Sequence, residues 1–507
     1  MTAPAPDAAA APAAAAVPLA RVADALDRAG LLVVRRGELP NVATDIVDDS
    51  RWVRPGALFV ATRGSRQDGH AFLGAAEQAG AAAALVEDPE ATTLPALVVR
   101  EGRRAAAVAA AAFYDEPATG LTLVGVTGTN GKTTTVGMLR HLLDAPGARA
   151  ASVGTLGVLA GSAGEPIPGG AGLTTPGPVE LQRLLRVLAD RDVRAVAMEV
   201  SSHALDQQRV EGVRFAAAVF TNLTRDHLDY HGTLEAYLEA KARLVDYLAP
   251  DGTAVVNADD PAWASLPSAP HRLTYGIASP ADVRARDVAF GPGGSTFTLA
   301  AGAAAAAPTR VPLLGEFNVA NALGAAAAAI ALGVPLEVVA ERLATLPQVP
   351  GRLETLSARP AVLRDYAHTP DALERALRAV RPFARGRLVV VFGAGGDRDR
   401  GKRPEMGALA ESLADVVVLT SDNPRTEDPE RILDDIAAGM RAAPASRIED
   451  RREAIAHALA LAGPDDVVLL AGKGHETYQI RGTETLPFDE AAIVRELTGA
   501  GAHEVAP

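Results

Sequence analysis

The chain has 507 residues, a formal net charge of −13, 48% apolar and 22% charged residues, and no cysteine. That length is too great for one hydrophobic core and implies about two to four domains. The acidity argues against non-specific nucleic-acid binding, and the missing cysteines exclude disulfide, thiolate and cysteine–metal chemistry.

An anionic substrate remains open, because local Lys/Arg clusters, helix N-termini and Mg²⁺ bind phosphate inside an acidic protein. Residues 1–17 form an Ala/Pro tract without the basic and Leu-rich regions of a signal peptide, and read as a disordered tail. No apolar run reaches the ~18 residues that cross a bilayer, so a cytoplasmic protein is expected. The richness in Ala reads as compositional bias rather than a structural signal.

Residues 18–118 alternate short apolar runs at 58–61, 82–86 and 96–99 with helical patterns. Asp49-Ser50-Arg51 is a turn that leads into the first of them. The next block, 119–350, opens on its most informative segment. An apolar, β-branched run at 121–126 is followed by Thr127-Gly128-Thr129-Asn130-Gly131-Lys132-Thr133-Thr134 and a helical pattern at 136–143. Strand, Gly-rich turn, Lys, hydroxyl and helix are the parts of a phosphate-binding loop. Lys132 is suited to neutralise β/γ-phosphate charge, and the Thr133 hydroxyl to ligate Mg²⁺. The general pattern G-x-x-x-x-G-K-[ST] is not met, because Val126 stands at the first Gly position.

Buried strands are expected at 195–199, 216–221 and 253–257, and a low-complexity surface loop at 301–308. Residues 351–507 add strands at 388–392, 416–419 and 467–471. Strands alternating with helices predict an α/β protein with parallel sheets and ligands at their carboxyl ends. Polar clusters sit there. Glu199 and His227, at the ends of strands taken as neighbours, are candidates to face a Mg²⁺ near Thr133; His203 and His231 stay unassigned. Lys241 lies in an amphipathic stretch and reads, on spacing alone, as a surface lysine. Asn318 and Asn321 open a helix, while Arg352 and Asp365 flank the second boundary. Segments 393–403, 420–425 and 471–476 put both charge signs at one sheet edge, which suits a zwitterionic ligand.

The motifs T-G-T-N-G-K-T, E-V-S-S-H, T-N-L-T-R-D-H-L-D-Y-H, G-x-F-N-x-x-N-A, G-R-L-E, D-Y-A-H-T-P, G-G-D-R-D-x-G-K-R, D-N-P-R and G-K-G-H-E occur in the order of the Mur ligase family. The resemblance runs from Asp49 to about Phe488. It implies an N-terminal domain (18–118) for the UDP end of a substrate, a central P-loop ATPase (119–350) and a Rossmann-like C-terminal domain (351–507). The reaction it implies is ATP-dependent amide formation through an acyl phosphate, by a monomer acting on small molecules in peptidoglycan precursor synthesis. D-N-P-R points to members that add diaminopimelate to UDP-N-acetylmuramoyl-L-alanyl-D-glutamate.

Carried onto this chain, Gly128 to Thr134 cradle the phosphates of ATP, and Asn321, Arg352 and Asp365 hold its base and ribose side. The metal set is Thr133, Glu199, His227 and Lys241, with Lys241 carbamoylated to an N6-carboxylysine, which reverses its reading as a surface residue. Ser50, Thr174, Thr175, Ser201, Gln207 and Arg209 match contacts to the nucleotide-sugar peptide. Arg398, Asp422, Asn423, Arg425, Gly472 and Glu476 match the diaminopimelate site. Arg364 departs from the pattern, where an apolar residue usually precedes the Asp. The alternatives are a folylpolyglutamate synthase-like amide ligase, against which D-N-P-R, G-K-G-H-E and the D-S-R block argue, and a non-catalytic nucleotide-binding scaffold.

Overall fold

The computed structural model describes residues 16–64, 67–170, 172–291, 293–302 and 305–499. Three large sheets follow one another along the chain. In the first, Ile46–Val47, Leu58–Val60, Ala83–Val86 and Ala96–Val99 run parallel, and Leu32–Arg36 closes one edge antiparallel. The strands Leu58–Val60, Ala83–Val86 and Ala96–Val99 are buried throughout, which is why they read as unbroken apolar runs. Leu19, Val22, Ala23 and Leu26 form the apolar stripe of the helix Leu19–Arg28 on this core. Just before it Val17 pairs with Ala43, so strand pairing begins inside the segment expected to be a tail. The rest of that expectation, residues 1–15, lies outside the described residues.

Among the described residues the central sheet has eleven strands. Its middle is parallel, in the order Arg149–Gly154, Val193–Glu199, Thr122–Thr127, Phe215–Phe220, Leu248–Asn257 and His271–Gly276. Both edges depart from the parallel expectation. Gly157–Ala160 and Glu165–Ile167 form an antiparallel flap on one side. On the other, Val283–Gly291, Gly294–Ala301 and Ala305–Val311 form a meander.

That meander corrects the expected loop at 301–308. Ala301 pairs with Ala305, and along Ala305–Val311 the residues Ala307, Thr309 and Val311 face inward, a two-residue alternation masked in the sequence by a run of Ala. Residues 303 and 304 lie outside the described residues. The reading of Ala as mere bias also fails in the helix Glu316–Ala331. Ala322 and Ala325 to Ala329 are fully buried there, and the helix packs against Lys132–Leu143 and the sheet. Small side chains permit that close approach, and a helix apolar all round is a buried one.

The C-terminal sheet runs Glu354–Ala358, Ala361–Asp365, Val467–Ala471, Leu388–Phe392, Val416–Leu419 and Ser446–Arg447, parallel but for the first strand. The three strands that precede the charged motifs are therefore adjacent in space. The start of this block meets the central sheet, where Asn130 Nδ2 donates to Asp371 at 2.8 Å and Arg352 Nη2 to Thr133 at 3.1 Å. Among the described residues no helix is long and apolar enough to cross a membrane.

Candidate functional site

The phosphate loop leaves Thr122–Thr127, one of the parallel strands in the middle of the central sheet. Val126 is still in that strand, fully buried and registered between Glu199 and Val219, so the absent first Gly costs nothing. The loop's tight approach begins at Gly128 (φ 141°), where a Cβ would stand 1.9 Å from the Thr221 hydroxyl. Gly131 (φ 87°) likewise leaves no room, with Asn321 Oδ1 2.3 Å from a Cβ position. Asn222 brackets the loop from the next strand. Its Oδ1 accepts from Asn130 N at 3.0 Å, and its Nδ2 donates to Asn130 O at 3.0 Å. Thr129 N donates to Asn222 O at 2.7 Å.

The helix Lys132–Leu143 then opens with its free N–H groups toward a cleft of about 280 Å³. Thr129 to Thr134, Glu199, His227, Asn321, Arg352 and Asp365 all line it. Gly128 and Lys241 do not; Lys241 lies behind the loop, against the Gly128 carbonyl. Lys132 Nζ donates to the carbonyls of Gly128 and Thr129 at 2.9 and 2.8 Å. Lys241 Nζ donates to the same Gly128 carbonyl at 2.7 Å and stands 4.3 Å from the Tyr237 ring centre. Lys241 is 1% exposed, so the helix-spacing reading of a surface lysine is wrong; its helix turns this one cation inward beneath the loop. Burial, reinforced by the Lys132 charge, holds its ammonium well below the usual lysine range.

Glu199 and His227 do not end neighbouring strands. The strand of Glu199 lies on one side of the phosphate-loop strand and Phe220 ends the strand on the other, with His227 in the loop beyond, at φ 53°. The phosphates would thus be approached from both flanks. Glu199 accepts from Thr155 N at 2.8 Å and from the Thr155 hydroxyl at 3.2 Å. Desolvation lowers the His227 pKa against the pull of Asp226. Among the described residues no three His, Cys, Asp or Glu side chains form a ready metal cluster. The oxygen donors Thr133 and Glu199 nonetheless suit a Mg²⁺ whose other ligands are phosphate oxygens and water.

Asp365 ends the strand Ala361–Asp365 and accepts from Leu353 N at 2.8 Å; burial pushes its pKa up to about 6. Arg352 stacks 4.6 Å from the Tyr366 ring, and Asn321 Nδ2 donates to Asn318 at 3.2 Å. The departure at Arg364 is accommodated inside the same corner, because its Nε donates to Glu354 of G-R-L-E at 2.7 Å.

The residues matched to the nucleotide-sugar peptide form one chain of bonds beside Glu199. Thr175 donates to Glu199 O at 2.9 Å and accepts from Ser201 N; Arg209 donates to Thr175 O at 3.0 Å and to Gln207 at 2.7 Å. Thr174 lines the cleft. Ser50 is not part of this chain. It opens the 3₁₀ turn Ser50–Trp52 of the N-terminal sheet.

The C-terminal motifs converge on Lys473, which is fully buried, 3.2 Å from Asn423 Oδ1, 3.2 Å from Glu476 and 3.7 Å from Asp422. Gly472 packs against Asp422, where a Cβ would lie 3.3 Å from its carboxylate. Arg425 Nη1 donates to Gly396 O at 2.9 Å, and Arg398 is exposed beside it. Two buried atoms of opposite character in this loop, Asp422 Oδ1 and Arg425 Nε, have no protein hydrogen-bond partner. Such groups are costly unless a ligand satisfies them.

The motifs T-N-L-T-R-D-H-L-D-Y-H, D-Y-A-H-T-P, G-G-D-R-D-x-G-K-R and G-K-G-H-E also hold Asp226, His368, Lys402 and Lys473, whose place the sequence does not reveal. Lys402 Nζ donates to His368 O at 2.8 Å, and Asp226 and Asp422 both act on its charge, so it stands between the cleft and the amino-acid motifs. Only the packing of one sheet end against another reveals that.

Models of known families match three stretches: the Mur ligase family catalytic domain at 45–118, the Mur ligase middle domain at 126–329, and the Mur ligase glutamate ligase domain at 351–474. A Gloeobacter violaceus protein named UDP-N-acetylmuramoyl-L-alanyl-D-glutamate–2,6-diaminopimelate ligase is 46% identical over 95% of this chain and 98% of its own length.

The chain belongs to the Mur ligase family.

A solved structure of a protein with the same name as that relative matches this Mur ligase at 36% identity and a TM-score of 0.65, over 91% of this chain and 95% of the other. A Mycobacterium tuberculosis folylpolyglutamate synthase matches at 21% identity and a TM-score of 0.61, over 78% and 95%, which is a likeness of fold alone.

Proposed function

We propose that this Mur ligase joins diaminopimelate to UDP-N-acetylmuramoyl-L-alanyl-D-glutamate, converting ATP to ADP and phosphate. The observation that carries the reading is the D-N-P-R loop. There a buried Asp422 oxygen, balanced only by the Lys473 ammonium at 3.7 Å, and the buried Arg425 Nε both lack a hydrogen-bond partner, so the loop holds both charge signs that a zwitterion needs. The close relative of that name supports it over nearly the full length.

The D-glutamyl carboxylate attacks the γ-phosphorus of ATP, the bond to the ADP oxygen breaks, and an acyl phosphate forms. The free amine of diaminopimelate attacks the acyl carbon, phosphate leaves, and the nitrogen loses a proton. Lys132 and the helix N-terminus neutralise phosphate charge as it shifts. Asn321, Arg352 and Asp365 orient the nucleotide, and Thr174, Thr175, Ser201, Gln207 and Arg209 orient the peptide, with Ser50 toward the UDP end. Thr133 and Glu199, with His227 beside them, would hold a Mg²⁺, which would add to that charge neutralisation. Lys241, its ammonium disfavoured by burial, is suited to react with CO₂, giving a carbamate that would serve the metal as a carboxylate. Arg398, Asn423, Gly472 and Glu476 complete the diaminopimelate pocket.

The reading includes domains at 18–118, 119–350 and 351–507, a monomer, and a cytoplasmic role in peptidoglycan synthesis and so in cell shape and division. Purified protein should release phosphate from ATP only when both the UDP-muramoyl dipeptide and diaminopimelate are present. Equal turnover with lysine would overturn the assignment of the amino acid.

A further inference from the structure

We propose that Arg451 is a positioning residue for the amino-acid site, holding D-N-P-R and G-K-G-H-E in register from beneath. This rests on the reading that those two motifs bind the amino acid. Arg451 is the first residue of the helix Arg451–Leu461, and its side chain is fully buried. Its Nη1 donates to Ser421 O at 3.3 Å and its Nη2 to Ala471 O at 2.9 Å. These are the carbonyls immediately before Asp422 and Gly472. The strands that end there, Val416–Leu419 and Val467–Ala471, are not neighbours, since Leu388–Phe392 runs between them. One guanidinium thus ties two strand ends across a third.

The helix dipoles do not explain the choice of residue. A helix N-terminus disfavours a cation, and Arg451 lies at two of them. Its counter-charge, Glu490, opens the helix Glu490–Thr498, is equally buried, and accepts from Arg451 Nε at 2.7 Å. A buried ion pair is commonly replaceable by apolar side chains of similar volume without loss of stability. What an apolar pair cannot do is hydrogen-bond both carbonyls. A planar fork with separate N–H groups can, and a lysine ammonium cannot match that geometry.

The test compares KM for each substrate in Arg451→Met/Glu490→Leu, Arg451→Lys and Arg452→Ala. The last removes the exposed pair with Glu496 between the same two helices and serves as the control. The double variant is expected to fold and to raise the diaminopimelate KM about tenfold, the loss of two ordinary hydrogen bonds. Its KM for ATP and for the UDP-muramoyl dipeptide should stay within about twofold of wild type. Arg451→Lys should shift the diaminopimelate KM in the same direction, and it decides the matter if the double variant does not fold. Arg452→Ala should change nothing. A wild-type diaminopimelate KM in a folded Arg451 variant, or an equal rise in all three KM values, would overturn the positioning role. No diaminopimelate-dependent turnover in the wild type would instead overturn the reading of the site, and the proposal with it.

Discussion

Replacing Lys241 by Met should abolish ligation and make the protein more stable in CO₂-free buffer. Lys241 and Lys132 donate to one carbonyl, that of Gly128. Two ammonium charges roughly 5 Å apart repel by ~3 kcal/mol at an effective dielectric of about 20. Shedding the Lys241 proton avoids the repulsion, but each unit of pKa depression then costs about 1.4 kcal/mol below the unperturbed value. Met removes both costs, fills similar volume, and leaves the Gly128 carbonyl bonded to Lys132. A gain of about 1–3 kcal/mol follows, or several degrees in Tm. The sign with pH is fixed as well. Between the depressed folded value and 10.5 the unfolded chain binds the extra proton, so wild-type stability climbs with pH in that window, and the Met variant lacks that slope. Thermal unfolding with and without bicarbonate is the assay. If Lys241 is carbamoylated as proposed, the modification would exchange the repulsion for an attraction to Lys132, so bicarbonate should raise the wild-type Tm and leave the variant unchanged. A less stable Met variant together with a wild type indifferent to bicarbonate would refute the reasoning.

Three further outcomes follow from the geometry. Asp365→Asn should flatten a loss of stability between about pH 4 and 6. The folded pKa is raised to about 6, so the folded state holds the extra proton there, and roughly 1–3 kcal/mol of stability is lost as pH rises; urea titrations at several pH values read it. Gly131→Ala forces a Cβ into Asn321 at a left-handed φ, and should raise the ATP KM by more than about tenfold with circular dichroism unchanged. Arg425→Ala should raise the diaminopimelate KM by roughly ten- to a hundredfold while the ATP KM stays near wild type; loss of ATP affinity instead would mean that the loop serves the nucleotide.

The phosphate loop was readable because its chemistry is local. A strand, two glycines without room for a Cβ, a lysine and a helix start lie within a dozen residues, and backbone sterics tie them together whatever packs around them. The charged motifs were readable for a related reason, each following an apolar run that could only be a strand. Lys241 was misread on spacing, because helical periodicity gives a face but not what lies against it. The run of Ala at 301–308 hid a strand, since alternation is invisible when both faces carry methyl groups.

The sequence by itself determined the α/β class, the phosphate loop and the order of the motifs, all properties of short segments whose backbone preferences and polarity act over a few residues. The tertiary structure alone decided which strands are neighbours. It set Glu199 and the His227 loop on opposite flanks of the phosphate loop, buried Lys241 beneath it, and brought Asp422, Gly472 and Arg451 to one place. Those juxtapositions come from hydrogen-bonding between strands and the packing of one sheet end on another, and residues tens or hundreds of positions apart in the chain carry no local trace of it.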